Sequence, residues 1–167
     1  MIGQNLEPMP LPPPQVASVF TTMNDQRNEA AIATGDGIAC GMNLNASFGK
    51  DIFITDKIYV YGSGSAGAGF DMTLYKYAST SHCEGSSAPF GMNYWFLQGQ
   101  LYAYAGILAG VAKVDGWDLS ILEGNVALLL QGKMPKPSYI YGGIYLQASF
   151  VGIIDVDMNF DFDFGTN

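Results

Sequence analysis

The sequence predicts an antiparallel all-β domain, either a curved sandwich or a barrel-like sheet, preceded by a Pro-rich arm and one short helix. Three observations carry that reading. Glycine (21 residues) and aromatic residues (13%) are abundant, while charged residues reach only 13%, about half the usual ~25%; this is the composition of strands and turns rather than of helices. From about residue 37 onward the apolar period is two, the signature of pleated strands with one buried face. The alternating runs are separated by stretches rich in Gly, Pro, Ser and Asn, which mark turns. The chain has 167 residues, enough for one domain with a core that needs no metal or disulfide to hold it.

Residues 1–14, "MIGQNLEPMPLPPP", end in extended polyproline and read as an arm or linker. They lack the basic region and apolar run of a secretory leader, so the expectation is a cytosolic protein or a piece of something larger. Residues 15–34 carry the short helix. Val16, Val19, Phe20 and Met23 fall at i, i+3, i+4 and i+7, one helical face, and the prolines before them suit a helix start. "ATGDGIACG" (33–41) breaks it. The β domain is expected over residues 35–167.

Within that domain "IFITDKIYVY" is β-branched and aromatic, and "STSHCEGSSAPFG" (79–91) is a polar loop. In "YWFLQGQLYAYAG", Trp95, Leu97, Leu101, Ala103 and Ala105 share one face, and Gln98, Gln100, Tyr102 and Tyr104 the other. "VDGW" marks a turn, and Gly124–Asn125 inside "LSILEGNVALLLQG" favours a hairpin. "MPKPSYIYGG" is a Pro-rich connection, and "IYLQASFVGIIDVDMNFDFDFG" is the clearest strand signal in the chain. Sheet on sheet is the economical way to bury one face of such strands.

"YVYGSGSAGAGFDM" (59–72) contains a literal G-x-G-x-x-G at Gly62, Gly64 and Gly67. A dinucleotide fingerprint needs a helix after the glycines, and here "GFDMTLYKY" alternates with period two instead. Ile58, Val60, Gly62, Gly64, Ala66, Ala68, Phe70, Met72 and Leu74 all occupy even positions, so one face runs unbroken through the glycines. The stretch is therefore one long bent strand or a hairpin with an odd-numbered loop. Its glycines allow a bend or the close approach of a neighbouring backbone or aromatic ring.

Chemistry is sparsely signalled. The formal net charge of −8 with seven scattered Lys and Arg residues excludes nucleic acid as a partner and disfavours an anionic membrane surface. Asp155, Asp157, Asn159, Asp161 and Asp163 share one face of "DVDMNFDFDF". The four aspartates are the weak metal candidates, but calcium needs converging oxygens and a straight row diverges; a solvated strand face that discourages edge pairing is the expected role. His82 stands alone beside Cys83 and Glu84, and adjacent side chains point apart in an extended chain. Cys40 and Cys83 are 43 positions apart and suit two free thiols or, in an oxidising compartment, one disulfide. Glu7, Glu29, Glu84 and Glu123 offer no recognisable carboxylate pair. No cofactor and no catalytic residue is indicated. Tyr102, Tyr104, Tyr139, Tyr141 and Tyr145 form the candidate interaction face, expected to be exposed and suited to proteins or sugars.

In order, "GAGFDMTLYKY", "CEG", "GMNYWFLQGQLYAYAG", "LLLQGKMPKP", "YGGIYLQASFVG" and "FDFDFG" resemble a segment found in very large secreted or surface proteins of Bacteroidetes-type bacteria, over roughly residues 35–167. The core here reads Asn93-Tyr94-Trp95-Phe96-Leu97, a departure from that family's pattern. The resemblance implies an extracellular or cell-envelope setting, and that Cys83 pairs beyond the end of this sequence rather than with Cys40. It transfers no catalytic residue. The resulting expectation is a non-catalytic structural or interaction module of a larger envelope or extracellular protein, with sibling modules or itself as partner. The alternative is a membrane β-barrel or a barrel that binds lipid or a small ligand, because alternating Gly, Tyr and Phe suits outer-membrane strands.

Overall fold

The computed structural model describes residues 2–3, 12–20, 36–77, 85, 87, 91–135 and 138–165. Six long strands form one antiparallel meander: β2 (Asp36–Thr55), β3 (Ile58–Lys76), β4 (Trp95–Lys113), β5 (Asp118–Met134), β6 (Tyr139–Phe150) and β7 (Ile154–Gly165). A two-residue strand β1 (Ile2–Gly3) pairs with Ile38 and Gly37 at the outer edge of β2. Strand order follows chain order. The all-β antiparallel fold, with a single short helix among the described residues, is thus present. The sheet is one open layer, and no second sheet packs on it among the described residues.

The stretch through the glycines is one continuous strand, β3, paired along its whole length with β2 and β4. Its small residues make room for rings on its neighbours. A Cβ at Gly67 would lie 2.6 Å from the Tyr104 ring, and one at Gly64 would lie 2.6 Å from the Phe48 ring on the other side of the sheet. No phosphate cradle forms there.

Turns and bulges together keep each face intact. Between β2 and β3 only Asp56 and Lys57 intervene, and Thr55 Oγ1 accepts from the backbone N–H of Ile58 at 3.1 Å. A two-residue loop on its own would pair odd with even positions. The register shift between Phe53 and Thr55 inserts Ile54 as a bulge, after which Ile52 faces Val60, even against even. "VDGW" is the turn between β4 and β5, closed by Lys113 N–H donating to the Trp117 carbonyl at 2.9 Å. Ile121 is a second bulge just beyond it.

Two expectations need correction. Gly124 and Asn125 do not turn the chain: β5 runs straight through them, with Gly124 paired to Ile107 and Asn125 to Gly106. The final run is not one strand. Val151 (φ 54°) and Gly152 (φ 64°) both adopt left-handed backbone and fold it into the β6–β7 hairpin. A β-branched residue at that position is costly and therefore a poor turn signal.

The helix α1 is short, Pro14–Ala17, with the N–H groups of Val16 and Ala17 both donating to the Pro13 carbonyl. It lies across the middle of one face of the sheet. Val16 and Phe20 are buried there with Tyr102, Ala127, Leu129 and Tyr141, and Val19 packs against the cluster. The helix expected over residues 15–34 stops at Ala17: Ser18, Val19 and Phe20 follow as turn and irregular backbone, and residues 21–34, Met23 included, lie outside the described residues.

Candidate functional site

The register divides every long strand into two sets of side chains, and the two faces of the sheet differ in chemistry. One face is polar and aromatic. Rows run across it from strand to strand: Asp71, Gln100, Gln131, Tyr141 and Asp163 form one, and Ser65, Gly106, Asn125, Gln147 and Asp157 another. Hydrogen bonds follow the rows. Gln100 Nε2 donates to Asp71 Oδ2 at 2.9 Å, Gln131 Nε2 to Gln100 Oε1 at 3.4 Å, and Asn125 Nδ2 to Gln147 Oε1 at 3.2 Å. At the edge, the Tyr145 hydroxyl donates to Asp157 Oδ2 at 3.5 Å.

This polar face is the enclosed one. Gln98, Gln100 and Gln131 are 4 to 5% exposed, and Lys133 is 1% exposed, its Nζ 5.7 Å from the centre of the Tyr139 ring. Beside α1 a cavity of about 350 Å³ is lined by Gln15, Ser18, Tyr104, Asn125, Tyr145 and Gln147. The five candidate tyrosines all lie on this face, but they do not form an exposed surface. Tyr102 and Tyr141 are buried beneath Val16 and Phe20, and Tyr104, Tyr139 and Tyr145 are partly buried against the same cluster.

The opposite face is apolar and open. Leu44 (64% exposed), Leu101 (54%), Ile107 (50%) and Phe160 (62%) all stand on it. An ordinary soluble sheet does the reverse, turning its leucines inward and its glutamines to water. Among the described side chains of the six long strands, this face carries three charges, Lys50, Lys76 and Lys113, and no acid; the strand acids that can be placed sit on the polar face. Lys76 and Lys113 mark opposite ends of the sheet. Lys76 Nζ lies 5.8 Å from the centre of the Trp95 ring at one end, and Trp117 is half-exposed in a turn at the other. Between them a shallow groove of about 400 Å³, floored by Gly99 and Gly132, is walled by Phe70, Met72, Leu97, Leu101 and Leu130.

The aspartate row of β7 is exposed along its length. Among the described residues no three His, Cys, Asp or Glu side chains converge to hold a metal ion. Cys40 is a free, exposed thiol on the apolar face. Glu123 lies on the polar face and accepts from Asn125 Nδ2 at 3.3 Å. His82, Cys83, Glu84, Glu7 and Glu29 lie outside the described residues. The buried set of Thr73, Gln98, Gln100, Gln131 and Lys133 was not singled out from the sequence. Its signal was the placement of Gln98 and Gln100 opposite Leu97 and Leu101, which is correct; the face assumed to be buried was the wrong one.

No protein-family model matches the sequence, and comparison with curated proteins and with solved structures gives no match. Among the described residues no helix is long and apolar enough to cross a membrane.

Proposed function

We propose that this chain forms part of the wall of a membrane-spanning β-barrel, a non-catalytic envelope role in which the apolar face meets lipid and the polar face lines a lumen. The single observation that carries this reading is the inversion of the sheet, with glutamines and a lysine enclosed and leucines and phenylalanines open. In a bilayer that is the favourable arrangement, since lipid-facing and lumen-facing side chains alternate along each strand.

Dimensions support the same reading. On β4 the apolar row runs from Leu97 to Val111, about 46 Å at ~3.3 Å per residue, or about 33 Å along the membrane normal at a ~45° tilt, against a hydrocarbon core of ~30 Å. Trp95 and Trp117 then fall at the two interfaces where indole rings accumulate, and Lys76 and Lys113 lie where a long side chain reaches the headgroups. The aspartate rows, which argue against lipid if both faces are supposed exposed, face the lumen here. The cell-envelope setting implied by the sequence resemblance is retained; the tyrosine-rich face as a docking surface is not, because it is the covered face.

The test is depth-resolved quenching. In a background with Trp95→Phe and Trp117→Phe, a tryptophan is placed on the apolar face (Leu101→Trp) or on the polar face (Tyr104→Trp), and the chain is folded into vesicles containing lipids brominated on their acyl chains. Quenching at position 101 and not at 104 is expected. Equal quenching at both, or a chain that stays monodisperse in plain buffer and does not float with vesicles, refutes the reading.

A further inference from the structure

Resting on that membrane reading, we infer that two copies of this chain close into one barrel, each pairing its β7 with the β2 of the other. The need for a partner comes from the edges. Among the described residues β7 has no strand on its outer side, and on the outer side of β2 the pairing with β1 ends at Ile38. In hydrocarbon every backbone N–H and C=O must be bonded within protein, so two open edges cannot both face lipid. The six long strands cannot close on themselves, because the smallest membrane barrels have about eight strands.

A second copy fits both edges at once. Strands β2 to β7 are even in number and strictly antiparallel, so β7 runs opposite to β2, and a copy set beside the first in the same orientation continues the alternation. A two-fold axis along the lumen repeats the junction on the far side and leaves no edge. Two copies contribute six long strands each, twelve in all. The lengths agree as well: β7 has 12 residues, and β2 from Cys40 to Thr55 is long enough to receive all of them.

Side-chain chemistry agrees with the junction. On the polar side, β7 brings the carboxylates of Asp157, Asp161 and Asp163, and β2 brings Asn43, Asn45 and Ser47, whose amides and hydroxyl donate, with Gly41 and Gly49 flanking them. On the apolar side, Phe160 and Phe162 continue the row of Met42, Leu44 and Phe48. β7 carries no lysine, proline or bulge along its length; its aspartates discourage pairing with a like-charged edge, and the edge they meet here is the neutral amide and hydroxyl side of β2. The α1 segments, being on the polar side, end up inside the closed barrel.

The experiment uses the full chain with Cys40→Ser and Cys83→Ser, folded in detergent micelles. Asn45→Cys is combined in turn with Asp157→Cys, Asn159→Cys or Asp161→Cys; the mass per particle is measured by light scattering, and the products are oxidised and run under denaturing conditions. Two chains per particle, with a covalent dimer from at least one of the three pairs, is the expected result. One chain per particle overturns the pairing and leaves the closing strands to a longer chain. Two chains with no cross-link place the contact elsewhere and overturn it too, as does a ladder of larger products, which indicates open-ended addition. Bromolipid quenching on the same protein separates the two ideas: quenching at position 101 in a single-chain particle sinks the pairing alone, whereas loss of face selectivity sinks the membrane reading beneath it.

Discussion

Strands β4 and β7 obey the same two-residue alternation and differ in what lies against them. The polar side of β4 is closed: Gln98, Gln100 and Tyr102 are 4 to 5% exposed, held between neighbours on both sides and, at Tyr102, beneath the helix. The polar side of β7 is open, as is everything else on that strand. The apolar sides do not differ, with Leu101 and Phe160 both more than half exposed. The difference on the polar side is an edge effect: among the described residues β7 has a strand on one side only. The agreement on the apolar side is not an edge effect, because it holds at the centre of the sheet, and the membrane reading proposed above accounts for it.

Substitutions probe that comparison in descending order of effect. The largest is expected on the apolar side of the central strand, where Leu101→Arg should cost ~2–4 kcal/mol of stability in vesicles, the range for a cation near the bilayer midplane; denaturant unfolding from lipid measures it, and a neutral result would mean that this face does not meet hydrocarbon. Next is the enclosed polar row. Gln100→Leu strips partners from the Asp71 carboxylate and the Gln131 amide and should cost about 2 kcal/mol, since buried polar groups left unpaired cost ~1–3 each. Gly67→Ala follows, at about 1 kcal/mol for overpacking against the Tyr104 ring, and the same substitution made in a Tyr104→Ala background should cost much less, the coupling being read from the double-mutant cycle. The smallest is Asp157→Asn on β7, within ~0.5 kcal/mol wherever that strand stays an open edge, as for an exposed position away from structural features. In a two-chain particle a larger loss is expected, because β7 is then paired with the β2 of the other copy.

The alternation, and with it the membership of each face, was legible from residue order alone. Gln98, Gln100, Tyr102 and Tyr104 fall together as read, and the even positions of β3 stay on one side through Gly62 and Gly64. Which face is enclosed was not legible, because period two records that two environments differ and not which of them is water. Assuming an aqueous surround assigned the leucines to a core and the tyrosines to the surface. Local chemistry misled at two turns. Gly124–Asn125 has hairpin composition, yet the Asn125 amide bonds across the sheet to Gln147; Val151–Gly152 lacks that composition and turns nevertheless. In both places cross-strand pairing outweighed the local preference.

The bulge at Ile54 bears on how such a chain can change length. Removing Ile54 would bring Phe53 next to Thr55 and leave each partner on β3 as it is, so the two sides of β2 keep their character. Removing Ala46, in mid-strand, would flip the residues before it, handing Met42 and Leu44 to the enclosed polar side and Asn43 and Asn45 to the open apolar side. Away from its bulges, then, this sheet can gain or lose residues only in twos. Relatives of different height should differ by even steps, with odd ones confined to the rims.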